Sequence, residues 1–214
     1  MGVQAKQASW PMVVLLIVAA VLWLKEHKRD VVAVISGEEK AAAVDGRYER
    51  FEDCQWVDSR RNDGDSFRVK FPDGRTEELR LYFVDAPESA FKTYGKGRNN
   101  HERIAQQGRD LSVSSERAVE IGVEAKKFVH DQLGKQSFTV FTEWDDPFGD
   151  RRFHAFVELP DGGWLHEELV EEGLVRIHTK GGDVPGGLRR EGQERHLEDL
   201  ERAARSAGRG VWSR

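Results

Sequence analysis

Hydrophobic and polar positions along the chain change rhythm several times, and each change marks an element. From Trp10 to Leu24 the run WPMVVLLIVAAVLWL is apolar without interruption. From residue 49 the pattern turns to short strands and turns, then a helix, then strands, then a helix. FEDCQWVDS reads as a first strand, and SFRVKF alternates with period two. PDGR at 72–75 is a hairpin turn, with proline leading and glycine at the positive-φ place. TEELRLYFV is the expected return strand, buried through Val84. SSERAVEIGVEAKKFVHDQL predicts an amphipathic helix with Ser114 or Ser115 as N-cap and Ala118, Ile121, Ala125 and Phe128 as its apolar stripe. QSFTVFTEW and RRFHAFVEL are two further strands. WLHEELVEEGL is a short helix ended by Gly173, and EGQERHLEDLERAARSAG is a final, solvent-laced helix. About five strands with an intervening helix point to a small barrel rather than a parallel sheet.

The first apolar run differs in kind from the rest. As a helix it would span roughly 22 Å, short of the ~30 Å hydrocarbon core. Residues 1–30 are therefore expected to be a signal peptide or a membrane anchor, with Trp10 and Trp23 at interfacial positions. Lys25, Lys28 and Arg29 after the run outnumber Lys6 before it, which favours a cytoplasmic body if the run stays; a secretory reading requires the opposite. Residues 31–48 read as a linker and 49–214 as the folded domain. Inside it, SAFKTYGKGRNNHERIAQQGRDLSV is rich in Gly and Asn, so a long inserted loop is expected at about 89–113, with room for a short helix around His101 to Leu111.

Composition narrows the chemistry. One cysteine, Cys54, excludes an intramolecular disulfide and a cysteine metal cluster, and reads as a small buried side chain. A net charge of −5 argues against a generally polyanion-binding surface, so any such function must use locally placed cations. The sequence has no Walker loop, no G-x-G-x-x-G and no H-E-x-x-H. His154, mid-strand, is expected in a packing role. Asp65, Asp85, Glu88, Arg80 and the pair Arg151/Arg152 all fall at strand ends or adjoining turns. Carboxylates converging on one rim repel unless a cation sits among them. A hard divalent ion with oxygen ligands resolves that conflict, and arginines beside it suit a phosphate.

DGDSF, LRLYFVDAPE, GDRRFHAFVELPDGGWLHEELVEEGLV and RHLEDLERAARSAGRGVWS together resemble the staphylococcal nuclease (thermonuclease) family over about residues 55–213. The resemblance implies an α+β domain, a five-stranded OB-fold β-barrel with packed helices, here preceded by an N-terminal apolar helix. It implies a monomeric, Ca²⁺-dependent hydrolase of phosphodiester bonds in DNA or RNA. Asp65 and Asp85 match the family's metal-binding aspartates, and the backbone carbonyl of Ala86 matches a further ligand. Glu88 matches the water-organising glutamate, and Arg80 the first phosphate arginine. Register counted back from PDGG makes Arg152 the second; counting forward from the FG pair, past the inserted Asp150, leaves Arg151 open. Phe148 stands where a tyrosine often meets the nucleotide. The alternative is a domain that keeps the barrel without useful turnover and binds single-stranded nucleic acid or a protein partner. The protein is then membrane-anchored, or secreted if the N-terminal segment is cleaved.

Overall fold

The structure, a computed structural model, describes residues 47–147 and 149–213. The apolar run, the linker as far as residue 46 and Phe148 lie outside the described residues. Among the described residues no helix is long and apolar enough to cross a membrane.

Strand β1 (Glu49–Val57) does double duty. Its first half pairs antiparallel with β5 (Phe138–Thr142), and its last residues pair antiparallel with β2 (Ser66–Lys70). The register shifts between Phe51 and Cys54, where Asp53 takes a φ of 56°. An extra residue at such a bulge bends a strand and increases its twist, so β1 can belong to both edges of the sheet. β2 continues through the PDGR turn into β3 (Thr76–Leu81), with Gly74 at φ 88° as the turn chemistry predicts. β3 pairs in parallel with β6 (Arg152–Glu158), which pairs antiparallel with β5, and the order β1-β2-β3-β6-β5 closes into a five-stranded barrel. Inward-facing Phe67, Val69, Leu79, Leu81, Val140, Ala155 and Val157 fill the core, and Cys54 is buried among them.

The return strand is shorter than its apolar run suggests. TEELRLYFV does not continue to Val84: β3 ends at Leu81, and Phe83 takes a φ of 69°. A left-handed conformation is costly for a bulky residue and persists only where its surroundings hold it. Here the Phe83 N–H donates to the Lys180 carbonyl at 2.9 Å, and its carbonyl accepts from His178 N at 2.8 Å. The chain is thereby turned off the barrel into β4 (Val84–Asp85), which forms a separate two-stranded ladder with β7 (Arg176–Ile177).

The segment at 89–113 is not a loop throughout. After a small hairpin it forms helix α1 (His101–Leu111), which buries Ile104, Gln107, Gly108 and Leu111. Helix α2 (Ser115–Leu133) follows, capped by Ser114, whose hydroxyl accepts from Arg117 N at 3.2 Å. Ala118, Ile121 and Ala125 are buried, and Phe128 packs partly buried on the core. Helices α3 (Leu165–Glu171) and α4 (Arg190–Ala207) complete the fold, with Gly173 at φ 67° and Gly208 at φ 65° after their ends. Trp212 packs against Leu111, Ile121 and Val211 and lies under the Arg205 guanidinium of α4.

Gly122 of α2 sets how close the chain after Asp85 can lie. A Cβ there would sit 2.5 Å from the Pro87 carbonyl oxygen and 2.6 Å from that of Glu88. Alanine in mid-helix gains about 0.5–1 kcal/mol over glycine, whereas forcing atoms into a packed contact costs about 1–3 kcal/mol. Gly122→Ala is therefore expected to lower stability by about 1–2 kcal/mol in urea unfolding, with an unchanged m-value. Undiminished stability would mean that the Pro87–Glu88 backbone gives way.

Candidate active site

Strand pairing delivers the first two groups. In the β2–β3 ladder Ser66 lies opposite Arg80, and the Leu81 N–H donates to the Asp65 carbonyl at 2.9 Å. Asp65 and Arg80 are thus neighbours across two strands far from each other's sequence context. The turn at Phe83 brings Asp85 back to the same place. Arg80 Nη2 donates to Asp85 Oδ1 at 2.7 Å and lies 3.0 Å from Asp65 Oδ2. All three side chains are at most 7% exposed. The second contact has ion-pair distance without hydrogen-bond alignment: Asp65 Oδ2 is buried and accepts no hydrogen bond, and Arg80 Nε is buried and donates none. The other oxygen of Asp65 accepts from the Ser66 hydroxyl at 3.1 Å.

Asp85 has far more partners than its neighbour. Across the β4–β7 ladder it faces Arg176, whose Nε and Nη2 lie 2.9 and 2.8 Å from Oδ2. From α1 come Arg103, with Nη2 3.4 Å from Oδ1, and Gln107, with Nε2 3.3 Å from Oδ2. Burial alone would raise the Asp85 carboxyl, but Arg176, Arg103 and Arg80 outweigh it and hold the group below the ordinary carboxylate range. Asp65 goes the other way. Burial raises it, the Asp85 charge adds to that, and Arg80 with the Ser66 hydroxyl only partly compensates. Two carboxylates sharing one guanidinium therefore titrate in opposite directions.

Glu88 closes the group on the α1 side. Arg103 Nε lies 3.2 Å from Glu88 Oε1, while Asn100 Nδ2 donates to Oε2 at 3.3 Å and Lys92 Nζ lies 3.7 Å from it. Gln107 fixes the backbone here as well. Its Oε1 accepts from Glu88 N at 3.1 Å and its Nε2 donates to the Ala86 carbonyl at 3.2 Å. Asp63, two residues before Asp65, belongs to the same field: burial, Asp65 and Glu88 push its carboxyl up to about 7.

The second arginine stands further off. Arg152 opens β6 opposite Glu78 in the parallel ladder, two positions from where His154 faces Arg80. Its Nε donates to Asp150 Oδ2 at 2.9 Å, and the negative field of Asp65 helps raise its pKa. Arg151 is exposed, at φ 63°, with its N–H on Asp146 Oδ2 at 3.0 Å, and no described contact joins it to the carboxylates. Phe148 lies outside the described residues. The geometry thus brings together Asp65, Arg80, Asp85, Ala86 and Glu88, leaves Arg152 linked through charge, and leaves Arg151 apart.

Sequence reasoning missed four contributors: Asn100, Arg103, Gln107 and Arg176. Arg103 and Gln107 are four apart, so a helix at 101–111 puts them on one face. That spacing was readable, but not that the face meets Asp85. Among the described residues no three His, Cys, Asp or Glu side chains form a ready-made metal cluster. A hard cation would instead meet scattered carboxylate and carbonyl oxygens and water, a donor set that Ca²⁺ accepts. The unsatisfied oxygen of Asp65 fits such an ion, and the unsatisfied Nε–H of Arg80 fits an anion beside it.

The opposed titrations predict opposed mutational effects. Asp85→Asn leaves the buried Arg80 and half-buried Arg176 charges undercompensated and is expected to cost about 3–5 kcal/mol. Asp65→Asn removes a carboxylate whose folded state disfavours ionisation, and is expected to leave stability at pH 7 unchanged or higher. Asp85 contributes stability that is lost only as pH falls through its depressed folded value. Ionised Asp65 weakens the fold, and that cost is relieved as pH falls through its raised value. Asp85→Asn should therefore flatten the strongly acidic part of the stability–pH curve, and Asp65→Asn the less acidic part. Urea unfolding in EDTA across pH measures both.

A sequence model of the Staphylococcal nuclease homologue family matches residues 78–214, a span that holds Arg80, Asp85, Glu88, Arg103, Arg152 and Arg176. No curated protein matches the chain. Asp65 precedes the matched span and joins the site through the β2–β3 ladder. With the match covering more than half its length, the chain belongs to the staphylococcal nuclease homologue family.

Proposed function

We propose that this protein is a Ca²⁺-dependent nuclease that hydrolyses phosphodiester bonds of DNA or RNA on an OB-fold barrel. The observation that carries this reading is the pair of unsatisfied buried atoms on one ion pair, Asp65 Oδ2 and Arg80 Nε. One is an acceptor with Arg80 Nη2 at ion-pair distance, 3.0 Å, and no hydrogen bond, the other a donor with no hydrogen bond of its own. Few ligands match both, and a metal ion beside a phosphate does.

In this reading Asp65, Asp85 and the Ala86 carbonyl hold the ion, which when bound supplies positive charge to the phosphoryl oxygens. Asp85 and Ala86 already accept from α1 residues, and Arg103, half exposed and with the longer contact to Asp85, is the donor that yields. Arg80 and Arg152 bind the phosphate oxygens and stabilise the charge that grows on them. Arg152 leaves Asp150 to do so. Glu88, kept near the site by Arg103 and Asn100, takes the proton of the attacking water or orients that water. Residues 1–30 serve as anchor or signal peptide, 31–48 as linker, and the domain acts as a monomer at a membrane or, after cleavage, outside the cell. Phe148, outside the described residues, is the aromatic candidate for substrate contact, and Arg151 a peripheral substrate-binding cation.

A second reading has its own observation. Three guanidiniums already crowd Asp85, as in a purely anion-binding site. That fits a domain that holds single strands or a protein partner without turnover.

The two separate cleanly. Purified protein incubated with single-stranded DNA is expected to cleave in Ca²⁺ and not in EDTA. Glu88→Gln and Arg152→Ala should each lose about 10²–10⁴-fold in rate while unfolding like the parent. Chelator-resistant cleavage sinks the metal assignment, and near-normal Glu88→Gln activity sinks the role of Glu88. No cleavage by the parent under any divalent ion favours the binding domain.

A further inference from the structure

The chain carries a net charge of −5, yet the twelve residues from Ser89 to Asn100, SAFKTYGKGRNN, contain Lys92, Lys96 and Arg98 and no carboxylate. They fold as a defined unit. Thr93 and Asn99 form an antiparallel bridge, Tyr94 N donates to the Arg98 carbonyl at 2.6 Å, and a 3-10 turn at Gly95–Gly97 makes the tip. Lys96 occupies that tip at φ 63°, a left-handed position that costs a lysine energy. Asn100, buried at the base, ties both arms together. Its Oδ1 accepts from Lys92 N at 2.8 Å, and its Nδ2 donates to the Ala90 carbonyl at 2.9 Å and to Glu88 at 3.3 Å. The hairpin is thus rooted on the proposed catalytic glutamate.

Every residue from Phe91 to Asn99 is exposed. Phe91, at 45%, and Tyr94, at 48%, are the two exposed Phe, Tyr or Trp rings among the described residues. Phe91 meets the His101 ring edge to face, centroids 5.3 Å apart, and the rest of its exposed surface, like that of Tyr94, is apolar area left in water. Lys92 lies between the two rings in sequence, and Lys96 and Arg98 follow at the tip and the return arm. Rings interleaved with cations suit a ligand that alternates flat apolar faces with negative charge, which describes a single strand of nucleic acid. In a duplex the bases are already stacked and the faces are hidden.

We propose that the 89–100 hairpin is a single-strand guide: Phe91 and Tyr94 stack on unpaired bases while Lys92, Lys96 and Arg98 contact the flanking phosphates and lead the strand to Glu88. This rests on the nuclease reading above, deepens it to a substrate class, and assigns binding to residues that take no part in the chemistry. A local basic hairpin also reconciles an acidic protein with a polyanionic substrate.

The test is binding by the full-length chain in EDTA, read by fluorescence anisotropy with labelled oligothymidine and a duplex of the same length. Phe91→Leu/Tyr94→Leu, which keeps apolar bulk and removes the rings, is expected to weaken oligothymidine binding at least tenfold and to leave duplex binding unchanged. Lys92→Ala/Lys96→Ala/Arg98→Ala should flatten the dependence of log K on log salt by about 2, since each cation contributes about 0.7 for single strands. Unchanged oligothymidine affinity in both variants overturns the proposal. So does an equal loss for single strand and duplex in the leucine variant. A hairpin effect only on sedimentation with phosphatidylserine vesicles overturns it in favour of a membrane contact. Cleavage of a small diester, bis-p-nitrophenyl phosphate, in Ca²⁺ separates the two levels. The leucine variant should keep parental turnover, whereas an inactive parent with the binding pattern intact would remove the nuclease reading and leave the guide standing.

Discussion

A buried guanidinium must be paired, and the pairing of Arg80 organises this site. Its Nη2 spans Asp65 at the entry to β2 and Asp85 in β4, so one charge on β3 ties those two strands together. Moving an ion from water into a protein interior costs several kcal/mol after relaxation. The arrangement therefore holds only while both carboxylates stay close. Yet the pairing is unequal: three guanidiniums hold the Asp85 carboxyl below the ordinary carboxylate range, whereas burial and the Asp85 charge push that of Asp65 above it. A fold selected for stability alone would not keep a carboxylate in that position. Carboxylates with such perturbed environments cluster at functional sites.

Helix α1 surrounds this charge cluster with a second layer. Gln107 alone touches Asp85, Ala86 and Glu88, and Arg103 straddles Asp85 and Glu88. Asp110, one turn beyond Gln107 and two beyond Arg103, pairs with Arg176. These contacts make the position of the strand exit depend on a helix packed against it, while Gly122 of α2 sets the closest approach from below. Positioning through packed elements rather than through a free loop keeps side chains within the narrow tolerances that catalysis needs.

Charge is partitioned as sharply as structure. Acidic groups crowd the centre, where Asp63, Asp65, Asp85 and Glu88 influence one another, and the hairpin beside it carries Lys92 between the exposed Phe91 and Tyr94, with Lys96 and Arg98 after them. Net charge describes the field at a distance; recognition of a polymer is decided within a Debye length of about 8–10 Å. An acidic chain and a basic approach to its site are compatible for that reason.

Local chemistry was legible in the sequence. Alternation in SFRVK, the glycine of PDGR, the serine before α2 and the glycines after α3 and α4 act over a few residues, and each did in the structure what its spacing implies. Arg80, Asp85 and Glu88 lie within nine residues, so their association was readable as well. What the apolar run LRLYFV could not reveal is its break, because burial is the same whether the chain continues or turns. Contacts of Phe83 with residues nearly one hundred positions away hold that turn. Arg103, Gln107 and Arg176 entered the site by the same route, through helix packing and the β4–β7 ladder. Amino-acid sequence alone determined the elements and the identity of the charged groups near the strand exit, since those depend on short-range propensity and side-chain chemistry. Only tertiary structure decided which charges share a guanidinium and which carboxylate is left unsatisfied, since desolvation and Coulomb interaction depend on distances that no stretch of sequence contains.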